Sequence, residues 1–67
     1  MTRTEVAQRV SDILEHAWDP ERAHGEDDDL RRDFLRALVA GEVPPDEIAA
    51  CAEALLWTED AFARWCA

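Results

Sequence analysis

The sequence contains no lysine, and its seven arginines are outnumbered by sixteen aspartates and glutamates, which gives a formal net charge of −9. A chain this acidic repels the phosphate backbone of nucleic acids, because binding there depends on Lys and Arg that displace counterions. The same repulsion disfavours anionic membrane surfaces. We therefore expect neither nucleic acid nor membrane as a partner. The excess of acidic residues is explained by a basic protein partner, by a bound metal ion or simply by a requirement for solubility.

Long hydrophobic runs are missing as well, and cysteine is scarce. No stretch approaches the roughly 20 apolar residues of a membrane span, and the segment MTRTEVAQRV lacks a signal-peptide core. Cys51 and Cys66 are fifteen positions apart, without the CxxC spacing of redox or zinc sites. On one straight helix about 22 Å would separate them, which is too far for a disulfide. We expect two reduced cysteines in a cytoplasmic protein.

The residues that are present predict helices. The chain has 67 residues, of which 48% are apolar, enough for one collapsed domain. Apolar side chains recur at helical spacing, without strand signals or repeats. The fold class is therefore predicted to be all-α: a single domain over residues 1–67, a compact three-helix bundle with helices at about 3–18, 28–40 and 45–66.

The first helix is predicted to begin at the capping box formed by Thr2 and Glu5. Its apolar stripe is predicted to comprise Val6, Val10, Ile13, Leu14 and Ala17, and to end at Trp18. Asp19 precedes Pro20 and is therefore kept out of the helical conformation, so the helix should stop there. We expect residues 20–26 to form a loop.

The second helix is predicted to begin at three consecutive acids, Asp27, Asp28 and Asp29, which would supply its N-cap and acidic first turn. Gly41 provides the C-terminal stop. The predicted apolar side comprises Leu30, Phe34, Leu35, Leu38 and Val39. Towards the other side Arg31, Arg32 and Arg36 lie at pairing distance from neighbouring aspartates, which predicts a solvated ion-pair face.

The third helix is predicted to begin at the segment Pro-Pro-Asp-Glu, residues 44–47. It carries two apolar stripes, one comprising Ile48, Ala52, Leu55, Phe62 and Cys66 and the other Ala50, Ala54, Trp57, Ala61 and Trp65. A helix apolar over so wide an arc is either buried on two sides or carries a contact surface. We favour one continuous helix, although the sequence Thr-Glu-Asp at 58–60 is also a plausible new N-cap, with a bend or break near Thr58.

The chain offers hard metal ligands but no catalytic motif. The acidic run at 26–29 lies near His16 and His24, yet counting from Asp19 an EF-hand loop would need Gly at position 24 and Glu at position 30. No Ser-His-Asp order, HExxH pair or Gly-rich phosphate loop is present. We therefore expect no enzymatic activity, no cofactor and no metal site.

The tryptophans of the third helix are the candidate contact residues, because Trp is the residue most enriched at interface hot spots. The predicted partner-binding set comprises Trp57, Trp65, Asp60, Glu53, Asp12 and Glu15. The alternative is that the tryptophans only cover the core of a small domain.

The tripeptide Trp18-Asp19-Pro20, followed by the acidic run Glu26-Asp27-Asp28-Asp29, resembles a family of small uncharacterised bacterial proteins. Family members read W-D-P-[IV]-G and then D-E-Y-D, and the resemblance covers about residues 13–56. This chain departs from the pattern at positions 21–22, which are Glu-Arg, and at Asp28, where the family has an aromatic residue. The resemblance implies an all-helical fold and roles such as toxin neutralisation or complex assembly.

The same tripeptide has a structural interpretation that needs no ligand. Trp18 is predicted to cover the open end of the bundle, Asp19 to bond the loop backbone and Pro20 to fix the direction of the exit.

The leading functional hypothesis is a small acidic protein–protein interaction module. In its concrete form it blocks a basic partner, as an immunity protein or antitoxin does, because acid on the inhibitor accelerates encounter. The alternative is a structural subunit of a homo-oligomer or larger assembly, joined through the third helix. A metal-binding regulatory domain is the weakest of the three hypotheses.

Overall fold

The computed structural model describes residues 1–59 and 61. Three α-helices follow one another: α1 (Arg3–Glu15), α2 (Pro20–Val39) and α3 (Ile48–Leu56), with a 3₁₀ turn at Pro45–Glu47 leading into α3. The described residues contain no strand. The predicted all-α three-helix bundle is confirmed.

The start of α1 agrees with the sequence pattern, and its end does not. The Glu5 amide donates to the Thr2 hydroxyl over 3.2 Å, as a capping box requires. The helix stops at Glu15 rather than at Trp18, with His16 as its C-cap. A tight turn then follows, closed by the Asp19 amide donating to the His16 carbonyl over 2.9 Å.

The loop predicted at residues 20–26 is wrong, because α2 begins at Pro20. Asp19 is its N-cap and accepts a hydrogen bond from the Arg22 amide at 3.3 Å. Proline is favoured at the first helical position, where its missing N–H would have no intrahelical partner. The tripeptide that ends α1 therefore also begins α2. The predicted N-cap at 27–29 falls in the interior of this helix.

The end of α2 confirms the predicted stop at Gly41. Gly41 adopts a φ of +72°, and its amide donates to the Leu38 carbonyl over 3.1 Å. The Glu42 amide donates to the Ala37 carbonyl over 2.8 Å. This pair of bonds is the Schellman motif, which needs a left-handed residue at the position of Gly41.

The continuous third helix predicted over 45–66 is wrong, because α3 ends just before Thr58, close to the position at which the alternative placed a bend or break. Residues 45–47 form the 3₁₀ turn, and α3 itself ends at Leu56, with Trp57 as its C-cap. The Arg31 guanidinium donates to the Leu55 carbonyl over 2.9 Å, which satisfies one of the carbonyls left open at a helix end. Asp60, Phe62, Trp65 and Cys66 lie outside the described residues.

The core lies where α1 packs against both α2 and α3. Its buried apolar members are Val6, Val10, Ile13, Ala23, Leu30, Phe34, Val43, Cys51, Ala54 and Leu55. Hydrogen bonds across the chain hold the start of α1 in place, since the Arg3 amide donates to the Glu47 carboxylate over 2.7 Å. None of the helices among the described residues is both long and apolar enough to cross a membrane.

Part of the predicted apolar side of α2 is exposed. Leu30 and Phe34 are buried as predicted, but Leu35, Leu38 and Val39 face solvent, and Val39 is 90% exposed. The helix has 20 residues and spans about 30 Å, whereas the 13 residues of α1 span about 20 Å. Leu35, Leu38 and Val39 are spaced i, i+3 and i+4, so they share a face of α2 that is turned away from the buried side chains of Leu30 and Phe34.

The two glycines are expected to respond in opposite directions to the same substitution. Gly41→Ala should lower the free energy of unfolding by about 1 kcal/mol, because a Cβ disfavours the left-handed backbone. Gly25→Ala should raise it by about 1 kcal/mol, because Gly25 lies inside α2 and an added Cβ meets nothing within 4 Å. Urea unfolding of both variants measures the difference, and equal shifts of the same sign would contradict this account of Gly41.

Candidate functional site

An apolar groove lies between α1 and the end of α3 and has a volume of about 340 Å³. Its lining residues are Ala7, Val10, Ser11, Leu14, Glu15 and Trp57. We call it the Trp57 groove. Trp57 is 60% exposed and Leu14 is 40% exposed, so both large apolar side chains are accessible from solvent.

The α1 wall of the groove follows from helical spacing. Ala7, Ser11 and Leu14 stand at positions i, i+4 and i+7 and therefore share one face of α1. Val10 is buried and forms the floor between this face and the core. Because Ala7 and Ser11 have small side chains, this half of the wall projects little beyond the α1 backbone.

The other wall is Trp57, and a buried polar cluster fixes its place in the chain. We call this cluster, Asp27, Arg31 and Thr58, the Asp27 clasp. The Thr58 hydroxyl donates to one Asp27 carboxylate oxygen over 2.8 Å, and Arg31 Nε donates to the other over 2.9 Å. Arg31 also donates to the Thr58 hydroxyl over 3.1 Å. These hydrogen bonds hold the Thr58 side chain in the interior, whereas the preceding residue, Trp57, is exposed at the edge of the groove.

Both Asp27 and Thr58 are fully buried. The predicted role of Asp27 as a helix cap is therefore wrong, since its carboxylate joins α2 to the turn after α3. Its neighbour Asp28 has a side chain that is 64% exposed and lies 3.5 Å from His24 Nε2. The predicted face of solvated arginines is wrong for Arg31, which reaches inwards.

The structure brings two members of the predicted partner-binding set together, Glu15 and Trp57. Glu53 is exposed on α3, one turn before Trp57. Asp12 instead lines a separate polar cleft between α1 and α2. The remaining two predicted members, Asp60 and Trp65, lie outside the described residues.

Apart from Glu15, the groove residues of α1 were not predicted as contact residues. Leu14 fits the spacing of the core stripe as well as it fits the stripe of Ala7 and Ser11, and the apolar pattern alone does not separate the two. The clasp did leave a signal, because Asp27 and Arg31 are spaced i, i+4 on one helix.

Trp18 does not cover the end of the bundle as predicted, since 75% of it is exposed. The other two members of the tripeptide have local roles, Asp19 as the cap of α2 and Pro20 as its first residue. Trp18 is therefore an exposed aromatic at the α1–α2 corner, outside the lining of the Trp57 groove.

Ion pairs join α1 to α2 along the polar cleft. Arg9 donates to Asp33 over 3.0 Å rather than pairing with a residue of its own helix. His16 Nδ1 lies 2.9 Å from the Glu26 carboxylate, and Arg22 Nε donates to the same oxygen over 2.9 Å. The His16–Glu26 contact connects the end of α1 to the first half of α2, and the Arg9–Asp33 pair connects the middle of α1 to the second half of α2.

The pairs hold the pKa of two carboxyl groups below their ordinary values. Partial burial alone would raise the pKa of Glu26, but hydrogen bonds and charge from His16 and Arg22 outweigh it and lower that pKa. The hydrogen bond from Arg9 is the main cause of the lowered pKa of Asp33, and Arg32 adds to it.

Cys51 is a free, buried thiol. Burial raises its pKa, and the charge of Glu47 raises it further, so the reactive thiolate is disfavoured. Among residues 1–59 and 61, no three His, Cys, Asp or Glu side chains converge as a metal centre would require.

Comparison of the chain with protein-family models, with curated proteins and with solved structures finds no significant match.

Removing the buried hydroxyl of the clasp should destabilise the protein. Thr58→Val keeps the shape of the side chain but deletes the group that donates to Asp27 and accepts from Arg31. We expect the free energy of unfolding to fall by about 2 kcal/mol, within the range for a buried hydrogen-bond partner left without its mate. Thr4→Val, the same change at an exposed position of α1, should stay within about 0.5 kcal/mol of the parent. Equal effects of the two substitutions would contradict the clasp.

The lowered carboxyl pKa values predict a loss of stability in acid. A carboxyl whose pKa is lower in the folded state stabilises the fold fully above its unfolded pKa, about 4.3 for Glu. That stabilisation is lost as the pH falls through the lower, folded value. Glu26→Gln should therefore flatten the acid limb of the unfolding free energy against pH. Glu53→Gln, at an exposed position without an ion pair to any described residue, should leave that limb unchanged. Parallel acid limbs for Glu26→Gln and the parent would rule out this contribution.

Proposed function

We propose that this chain is an acidic protein–protein interaction module that binds a basic protein through the Trp57 groove. The observation that carries the proposal is the exposure of Trp57 and Leu14 side by side in one concave, apolar surface. Exposed apolar surface that is contiguous and concave marks interaction sites, whereas single exposed apolar side chains are ordinary.

Charge supports a basic partner. The net charge is −9, Glu15 lines the groove, and within the described residues no basic side chain does. Two patches of opposite sign attract each other before contact, which raises the association rate and suppresses wrong partners. The apolar groove would then determine how long the complex lasts, because differences in affinity lie mostly in dissociation.

Inhibition is the concrete form of this function. A small acidic domain seated on a basic surface blocks that surface sterically and competes with anionic substrates for the same charges. An immunity protein or antitoxin that covers a basic toxin would work in this way. The protein would need neither a cofactor nor a catalytic group for it.

A second candidate function is a structural subunit, and the exposed end of α2 favours it. Leu35, Val39 and Ala40 line a further apolar depression beside Arg36. A chain with two separate apolar surfaces could contact two neighbours at once in a homo-oligomer or larger assembly. Such contacts would be insensitive to salt, because their main component is hydrophobic.

A capture experiment tests the proposed function. The immobilised protein should retain a basic protein from the source lysate at about 0.1 M salt and release it at about 1 M, where the screening length falls from about 10 Å to about 3 Å. Trp57→Ala should abolish retention, because a truncated hot-spot tryptophan costs about 2 kcal/mol or more. Trp18→Ala, which removes an exposed tryptophan outside the groove, should retain the same protein as the parent.

The contradicting outcomes are distinct. Equal retention by Trp57→Ala and Trp18→Ala would show that the groove is not the contact surface. A salt-resistant oligomer, seen by light scattering and disrupted by Leu35→Ser with Val39→Ser, would favour the structural subunit instead.

A further inference from the structure

The backbone around the Trp57 groove restricts what can bind there. One wall is α1, whose amides and carbonyls bond within the helix, and the other is the C-cap residue of α3. A peptide that binds as an added β-strand would need main-chain partners from an open sheet edge, and the groove offers none among the described residues. An incoming helix satisfies its own backbone and needs only side-chain contacts.

The dimensions and lining of the groove fit one face of a short helix. Ala7 and Leu14 are seven residues apart, so the α1 wall runs for about 10 Å, or about two helical turns. Over that distance a partner helix presents apolar side chains at i, i+3 or i+4, and i+7. The small side chains of Ala7 and Ser11 allow a partner helix to approach α1 closely. Leu14 and Trp57 have larger side chains and offer more apolar contact area.

The acidic residues near the groove determine which charge the polar face of a bound helix should carry. Glu15 lies at the Leu14 end of the groove, and exposed Glu53 precedes Trp57 by one turn of α3. Arg9 is turned towards α2 and paired with Asp33, so it does not offset these acids. Lys or Arg flanking an apolar stripe would therefore meet one carboxylate from α1 and one from α3.

From these three observations we infer that the groove binds a basic amphipathic α-helix of the partner protein. This inference rests on the proposed function and specifies the element of the partner that is recognised. An apolar stripe of about two turns contacts Leu14 and Trp57, and flanking basic side chains pair with Glu15 and Glu53.

The test uses synthetic peptides of about 14 residues, or about four helical turns, built from Leu and Lys and labelled for fluorescence anisotropy. One peptide places its leucines on a single helical face. A second has the same composition in an order that scatters them, and a third replaces Lys with Glu in the first. We expect the first to bind about tenfold or more tightly than the other two, since only it matches both the apolar stripe and the charge.

Two protein variants with the same change in charge separate groove binding from general attraction. Ser11→Arg places a long basic side chain on the exposed wall of the groove, and Gln8→Arg places it on the same helix outside the groove lining. Neither substitution removes a core contact, and Arg is a good helix former. Ser11→Arg should weaken the first peptide about tenfold, whereas Gln8→Arg should weaken it about twofold or less, as a change of net charge alone would.

The outcomes also separate this inference from the function on which it rests. If both Leu/Lys orders bind equally, or if the two arginine variants weaken binding equally, recognition is by charge alone and the helix inference fails. Salt-sensitive capture that is lost in Trp57→Ala would still support the groove in that case. If Trp57→Ala captures the partner as the parent does, the proposed function fails, whatever the peptides do.

Discussion

A carboxylate withdrawn from water is the constraint on which the rest of the structure depends. Burying the charge of Asp27 costs several kcal/mol unless partners surround it, and Arg31 and Thr58 provide hydrogen bonds to both of its oxygens. Thr58 reaches Asp27 only if the chain turns inwards after Leu56. The same arginine satisfies the Leu55 carbonyl, which makes that turn compatible with a proper helix end. One buried charge therefore sets the length of α3 and the position of Trp57.

The ends of α1 and α2 depend on a second local constraint, the sequence Asp-Pro at positions 19 and 20. Proline prevents the preceding residue from being helical and favours the first turn of a new helix, so one dipeptide both stops and starts a helix. The result is a tight corner between α1 and α2 instead of a loop. It brings His16 within 2.9 Å of Glu26 and Arg9 within 3.0 Å of Asp33. Both contacts join α1 to α2.

Local signals predicted the fold class, the Thr2 cap and the Gly41 stop, because each depends on residues within one turn of the chain. The prediction failed where two local signals competed. Asp19 and the run at 27–29 are both good helix starts, and only packing decides that Asp27 is buried. Leu14 likewise fits both a core stripe and a surface stripe. The sequence around Thr58 is compatible with a continuing helix and with a helix end, and the hydrogen bond from Arg31 to the Leu55 carbonyl favours the end. The candidate site lies at these ambiguous positions, so the sequence identified Trp57 and Glu15 but not the apolar residues of the α1 wall.

The combination of high charge and exposed apolar surface is itself informative. A net charge of −9 on 67 residues opposes compaction through self-repulsion, and exposed Trp57 and Leu14 forgo the stabilisation that burial would provide. Both features lower the stability of the isolated chain, and the docking of a basic, apolar surface would reverse both. Such a surface neutralises acid and covers the groove together. The isolated domain thus lacks two kinds of complement, and the proposed basic amphipathic helix would supply both.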